Sequence, residues 1–145
     1  MQNQRKIEIL SNLGELFLQA SNALEKGKES DHELVNKLVE QTALAKQQNS
    51  WFTDSSIQTA FNAWGNALNL DNLNAWLKAY DFDIEQKKVG VIMAGNIPLV
   101  GLHDALSVLI SGHELHAKLS SKDPSLNSQL KPCLATVYRL HSQFT

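Results

Sequence analysis

The spacing of apolar residues changes near residue 86, and this change restricts the chain to a mixed architecture. Before it, apolar side chains recur every three or four residues, which indicates amphipathic helices. After it, short apolar runs alternate with helical patterns, an order typical of parallel strands joined by a crossover helix. We therefore predict an α/β chain with a helical array over residues 1–86 and an α/β region over residues 87–145.

Local signals at helix ends predict where the helices of the first region begin and stop. The first helix should end at Gly27, and Ser30-Asp31-His32-Glu33 has the S-x-x-E form of a capping box for the second. Thr53 is the predicted N-cap of the third helix, because Phe52 and Ile57 then occupy the two positions of a hydrophobic staple.

The fourth helix and the core of this region follow from the same periodicity. Asp71 is predicted to cap the fourth helix. Three tryptophans lie on apolar helix faces, where packing in the core is expected rather than stacking on a ligand: Trp51, Trp64 and Trp76. The apolar face of the first helix comprises Ile7, Leu10, Leu13, Phe17 and Leu24.

The second region begins with a short apolar run. Residues 89–94 show no alternation, which predicts a strand buried on both faces. Two parallel strands do not form an independently stable sheet, so we expect something else to complete it. The remaining predicted elements are a loop over residues 95–99, a helix over 100–111 with Gly112 at its C′ position, a strand over 114–119, and a last helix that Asp123 caps and Pro132 interrupts.

Composition excludes several classes of protein. The 145 residues suit one ordinary domain, and the formal charge of −2 with no basic cluster argues against nucleic-acid binding. No apolar run approaches the ~20 residues of a membrane span, and the amino-terminal segment is amphipathic rather than a signal peptide. One cysteine, Cys133, fits a reducing compartment. We therefore expect a soluble, cytoplasmic protein without a membrane span.

Asn96 is the first candidate for chemistry. It follows a predicted strand, and ligands of open α/β sheets gather at the carboxyl ends of strands. Gly95 allows unusual backbone dihedrals, and Pro98 stiffens the exit from the loop. The Asn96 amide would then be a neutral donor able to stabilise an oxyanion. Alternatively, Asn96 merely tolerates a turn conformation.

A second candidate segment follows the next predicted strand. Lys118 stands at the strand end, and Ser120 and Ser121 add hydroxyl groups, a combination suited to sugar hydroxyls or a phosphate. The alternative is a solvated polar turn with Asp123 as a helix cap.

Other residues that resemble reactive groups are interpreted as structural. His113 and His116 are three residues apart on a predicted strand and therefore face opposite sides, so no metal site is expected. Cys133 follows Pro132 in a predicted helix, where a packing cysteine is expected rather than a nucleophile. Asp104 opens the helix after the loop, where a carboxylate suits the helix dipole; the alternative is a supporting role beneath Asn96.

Taken together, the two candidate segments resemble the aldehyde dehydrogenase superfamily. In that superfamily an N-x-P-L loop closes the first strand of the cofactor domain, and a K-x-x-[E or S]-x-x-P segment follows the next strand. Residues 93–101, His103-Asp104 and residues 106–112 resemble more specifically the bacterial acyl-CoA reductase family of the LuxC type. The resemblance covers roughly residues 5 to 130.

This resemblance implies a fold and an activity. Residues 87–145 would be the incomplete start of a Rossmann-type nucleotide-binding domain, in its first β-α-β-α unit. The chain would be the N-terminal fragment of an NADPH-dependent acyl-CoA reductase that forms fatty aldehyde through a cysteine thioester. The nucleophilic cysteine of the family lies far downstream of the matching segment, so these residues alone are expected to be inactive. A homo-oligomer is also expected.

The resemblance also implies residue roles. Asn96 would donate to the oxyanion, and Lys118 would contact the adenosine ribose of the cofactor. Ser121 stands where NAD-preferring relatives often have a glutamate, and a neutral residue there favours NADP(H). Ile97, Pro98 and Ser120 would be further cofactor contacts. The alternative function is a non-catalytic helical module for oligomerisation or partner binding.

Overall fold

The computed structural model describes residues 2–82 and 84–121, apart from the side chains of residues 2 and 3. This part of the chain is mostly helical with a small two-stranded parallel sheet. The predicted last helix, including Pro132 and Cys133, lies outside the described residues. In order, the elements are α1 (Gln2–Lys26), α2 (Glu33–Gln48), α3 (Asp54–Ala67), α4 (Leu70–Leu77), β1 (Lys88–Ile92), α5 (Leu102–Ile110) and β2 (Glu114–Lys118).

Helices α1 and α3 form the centre of the helical array. Phe17 and Phe61 stack in a fully buried pair, with ring centroids 5.4 Å apart. The two helix backbones approach closely where Gly14 meets Gly65. A Cβ atom added at Gly65 would lie 2.4 Å from the Leu18 Cγ atom and 3.0 Å from the Gly14 carbonyl oxygen. Absence of side chains at both positions therefore permits this helix crossing.

Two predicted helix boundaries are confirmed. Gly27 has a φ of +60°, the left-handed conformation that ends α1 at the residue before it. Thr53 caps α3: its side chain accepts from the Ser56 amide, and the Ser56 hydroxyl accepts from the Thr53 amide. Phe52 and Ile57 are both buried, in agreement with the predicted staple.

Two other predicted caps are wrong. Helix α2 begins after His32 with no side-chain cap. The Ser30 hydroxyl accepts from the His32 amide, and the Asn36 side chain bonds both the amide and the carbonyl of Ser30. Those bonds hold the segment before the helix in place of a Ser30–Glu33 capping box. Helix α4 is capped by Asn69, whose side chain accepts from the Asn72 amide, and Asp71 lies within the first turn.

The sheet confirms the predicted parallel pair but corrects its burial. Strands β1 and β2 pair with Val89 opposite Leu115 and Ile92 opposite Lys118. Strand β1 was predicted to be buried on both faces, and that prediction is wrong for the described residues. One face is half-buried, whereas the other is exposed, with Ile92 85% exposed. No described element covers this outer face.

Helix α5 connects the two strands and also meets the amino-terminal helix. It ends before Gly112, whose φ of +85° confirms the predicted C′ position. The Lys6 ammonium donates to the Ile110 carbonyl at 2.8 Å, which joins α1 to the end of α5. Burial lowers the pKa of Lys6. Buried residues of both chain halves form one hydrophobic cluster, so α5 and the sheet pack on the helical array.

None of the helices among residues 2–82 and 84–121 combines the length and apolar character needed to cross a membrane.

Candidate functional site

Parallel pairing brings the two candidate segments to the same edge of the sheet. The Met93 amide donates to the Lys118 carbonyl at 3.0 Å, which continues the pairing one residue past β1. Asn96 follows on one side of this edge, and Ser120 and Ser121 follow Lys118 on the other. The carboxyl ends of both strands therefore carry the residues that the sequence singled out.

The loop after β1 has an unusual backbone conformation. Leu99 has a φ of +60°, and it is the one residue other than glycine with a positive φ in the described part of the chain. Its side chain is 1% exposed, so burial holds the residue in a conformation that costs about 1–2 kcal/mol for an L-amino acid. The Leu102 amide donates to the Leu99 carbonyl at 3.0 Å, which leads directly into α5.

Gly101 lets the start of α5 approach the end of β1. A Cβ atom at this position would lie 2.6 Å from the Met93 Cγ atom and 2.9 Å from its Sδ atom. Met93 is buried, so its side chain has little room to move. This close packing limits the positions that the loop between Met93 and Gly101 can take.

Asn49 holds the other end of the loop. Its side-chain nitrogen donates to the Gly95 carbonyl at 2.8 Å, and the side chain is 4% exposed. Sequence reasoning missed this residue, because an asparagine after a helix is an ordinary turn residue and its partner lies 46 positions away. No signal in the sequence points to the pairing.

The Asn96 side chain is exposed between these two fixed points. Among the described residues it makes no hydrogen bond, so its amide is available to an external acceptor. An uncharged N–H donor at the end of a parallel strand can bind a carbonyl oxygen or stabilise negative charge that develops on it. This is the arrangement that the sequence predicts for Asn96, and its catalytic role stays a prediction.

The predicted cofactor residues differ in exposure. Lys118 and Ser121 are exposed and Ser120 is half-buried, so the segment presents an ammonium group and hydroxyls at the sheet edge. Ile97 is 55% exposed and offers apolar surface beside Asn96. Pro98 is buried, so little of its ring is available for contact with a ligand.

A groove of about 450 Å³ lies between helix α3 and this loop. Its walls are mostly apolar, and a hydrophobic group could occupy it without burying a charge. The lining residues are Ser56, Thr59, Ala60, Ala63, Trp64, Ile97, Pro98, Leu99 and Val100.

Two of the three tryptophans pack as predicted, and one does not. Trp64 and Trp76 are half-buried against the core, with ring centroids 6.5 Å and 6.3 Å from His103. Trp51 is 77% exposed, so the prediction that it packs in the core is wrong. Its amide donates to the Asn49 side-chain oxygen at 3.0 Å, which fixes the backbone in a turn that directs the indole outward.

The remaining polar candidates have partners of their own. The His113 Nδ1 atom accepts from the Lys87 amide at 3.2 Å, and the His116 Nε2 atom lies 2.7 Å from a Glu114 carboxylate oxygen. Asp104 lies in the first turn of α5, 67% exposed and 3.8 Å from the His103 Nδ1 atom.

The positive φ of Leu99 predicts that glycine is a more stable replacement than alanine at this position, the reverse of the usual order. In the middle of a helix or strand an alanine variant is more stable than a glycine variant, by about 0.5–1 kcal/mol. At Leu99 we expect Leu99→Gly to be more stable than Leu99→Ala by about 1 kcal/mol, since only glycine adopts this conformation without strain. Urea denaturation of both variants measures the difference.

Leu106 provides the matched control for this comparison. It is fully buried in α5, where Leu106→Ala should be more stable than Leu106→Gly by about 1 kcal/mol. If alanine is the better replacement at both positions, the loop does not hold Leu99 in the left-handed conformation in solution.

No protein-family model, curated protein or solved structure matches the chain.

Proposed function

We propose that the chain is the N-terminal part of an acyl thioester reductase of the aldehyde dehydrogenase type, using NADPH as its reductant. The observation that carries the proposal is the shared sheet edge, where the exposed Asn96 amide and the Lys118–Ser121 segment follow adjacent parallel strands. In this proposal β1, α5 and β2 begin a Rossmann-type cofactor domain, and further strands of a longer protein extend the sheet.

Asn96 supplies the electrostatic part of the proposed reaction. An acyl thioester acquires negative charge on its carbonyl oxygen as it is reduced, and the Asn96 amide donates to that oxygen. A donor of this kind contributes about 3–4 kcal/mol to transition-state stabilisation. The hydrogen bond to Gly95 and the packing of Gly101 on Met93 support this role, because they restrict the loop before the substrate binds. The cysteine that carries the acyl group belongs to a downstream part of the protein, as the resemblance implies.

The second segment fits a phosphorylated ribose. When bound, NADPH supplies a hydride, and its adenosine ribose carries a 2′-phosphate. Lys118 offers a positive charge, and Ser121 offers a hydroxyl donor, both exposed at the carboxyl end of β2. Residues 118–121 contain no carboxylate that would repel the phosphate. This donor set favours NADPH over NADH.

A nucleotide titration followed by NMR tests the proposal. With NADPH we expect amide shifts at Asn96, Ile97 and Lys118, and weaker shifts with NADH. Lys118→Glu should weaken NADPH binding roughly tenfold or more, because it replaces attraction to the phosphate with repulsion.

The matched control is Lys87→Glu, which makes the same change of charge at the amino end of the sheet. It should leave the affinity for NADPH within about twofold of the unmodified chain, because the Debye screening length at physiological salt is only about 8 Å. Equal weakening by both variants would indicate general electrostatic attraction rather than a site. Absence of shifts at Asn96 and Lys118 at millimolar NADPH would contradict the proposal.

A further inference from the structure

Asn49 is a buried polar side chain that joins the helical array to the candidate loop. It follows α2, and its own amide donates to the Ala45 carbonyl at 2.9 Å, so its backbone is part of the helix end. From there the side-chain amide makes two further bonds, donating to the Gly95 carbonyl and accepting from the Trp51 amide. Both partners are main-chain groups, so the Asn49 side chain holds two stretches of backbone in place and does not orient another side chain.

The amide is chemically suited to this task. One planar group donates at its nitrogen and accepts at its oxygen, and the site uses both. A carboxylate of the same size could accept from Trp51 but could not donate to Gly95. Gly95 is itself buried, so its carbonyl would then lie against a negative charge with no donor.

The position of Gly95 makes the bond relevant to Asn96. Gly95 immediately precedes Asn96, and the carbonyl that Asn49 holds belongs to the peptide unit that includes the Asn96 nitrogen. Three residues beyond Asn96, the buried Leu99 side chain fixes the loop again. The exposed Asn96 side chain therefore stands between two anchored points.

We propose that Asn49 is the positioning residue of this loop: it orients the peptide that carries Asn96 and does not touch the substrate. The purpose assigned to the loop rests on the proposed reductase function, whereas the restraint by Asn49 does not. The helical array then contributes directly to the site, because the end of α2 determines where the oxyanion donor lies.

Hydrogen–deuterium exchange followed by NMR tests the inference on two variants. In Asn49→Asp the donor is lost while size is kept, and exchange at the Val100 and Leu102 amides, which donate to the Ile97 and Leu99 carbonyls of the loop, should rise roughly tenfold, the factor expected for loss of one buried hydrogen bond. Asn49→Ala loses both bonds and should also accelerate exchange at Trp51. Unchanged loop exchange in Asn49→Asp would overturn the inference.

Thr42→Ala is the matched control. Thr42 is 2% exposed in the same helix, and its hydroxyl donates to the Val39 carbonyl at 2.7 Å without contact to the loop by hydrogen bond. This variant should lower global stability but leave the exchange at Val100 and Leu102, relative to the core, unchanged. If Thr42→Ala accelerates loop exchange as much as Asn49→Asp, the loop reports only global stability and the inference is wrong.

A measurement on the unmodified protein covers the case in which the variants do not fold. The side-chain amide hydrogens of Asn49 should exchange more slowly than those of the exposed Asn96, by roughly tenfold or more, because the Asn49 amide is buried and donates a hydrogen bond. Equal exchange at the two side chains would overturn the inference. A slow Asn49 amide together with no response to NADPH would support positioning by Asn49 and contradict the reductase function, so the two proposals fail separately.

Discussion

Replacing Phe61 by alanine should lower the free energy of unfolding by about 3–5 kcal/mol, the largest effect that we expect from any single substitution here. Phe61 is fully buried and stacks on Phe17 with an interplanar angle of 28°. The substitution removes this contact and leaves a cavity between α1 and α3. Because a domain of this size has only about 5–15 kcal/mol of stability, the loss is a large fraction of the whole.

Urea denaturation followed by circular dichroism measures the loss in free energy of unfolding. In a thermal melt the melting temperature should fall by about 10 °C. Leu70→Ala is the control, because Leu70 is 50% exposed at the start of α4. A surface change of this kind should stay within about 0.5 kcal/mol of the unmodified protein. A loss at Phe61 no larger than that at Leu70 would mean that α1 and α3 do not pack in solution as described.

Gly65→Val should destabilise the chain by about 2–3 kcal/mol, although valine is the better helix former. The new Cβ atom would meet the Gly14 carbonyl oxygen at 3.0 Å, and this backbone atom can move only if α1 moves. Leu18 would also have to leave its place, because its Cγ atom lies 2.4 Å from the same point. The helix crossing must therefore widen, and core contacts on both sides weaken.

Ala67→Val tests whether the loss comes from the crossing. Ala67 is exposed at the end of the same helix, so the same new side chain should change stability by less than about 0.5 kcal/mol there. Thermal melts of both variants decide the matter. A gain in stability for Gly65→Val would show that helix propensity outweighs the steric conflict and that the two helices are farther apart than the structure has them.

Helix boundaries were predictable where the cap and its partner are local and unopposed. Thr53 and Ser56 satisfy each other's backbone groups, and the sequence shows both. The expected capping box at Ser30 fails because Asn36, one turn into the helix, binds both backbone groups of that serine. The pattern does not show such competition, since several nearby side chains offer equivalent hydrogen bonds.

The strand order was predictable, whereas the burial of β1 was not. An apolar run without alternation shows that both faces of a strand can be buried, but not that they are. The apolar side chain of Ile92 would suit burial in a larger sheet. In the described part of the chain that face is exposed. Whether a strand face is buried depends on elements distant in sequence, which a local pattern does not show. The class of the fold therefore followed from local periodicity, and the environment of the strand did not.

Some features of the candidate site were also predictable from the sequence, and others were not. Gly95 and Pro98 predict the loop around Asn96, because glycine widens the range of backbone dihedrals and proline fixes φ, and both interrupt regular structure. The positive φ of Leu99 and the bond from Asn49 to Gly95 depend on tertiary packing, which a single sequence does not display. The residues that orient the loop are thus harder to predict than the residue that it presents.

The exposed indole of Trp51 provides an optical signal for the loop. It is far more open to collisional quenchers such as iodide than the half-buried Trp64 and Trp76, so quenching selects its fluorescence. Asn49 bonds the Trp51 amide and the Gly95 carbonyl with the same side chain. We therefore expect a ligand that displaces the loop to change the emission of Trp51, so that fluorescence can follow binding in the unlabelled protein.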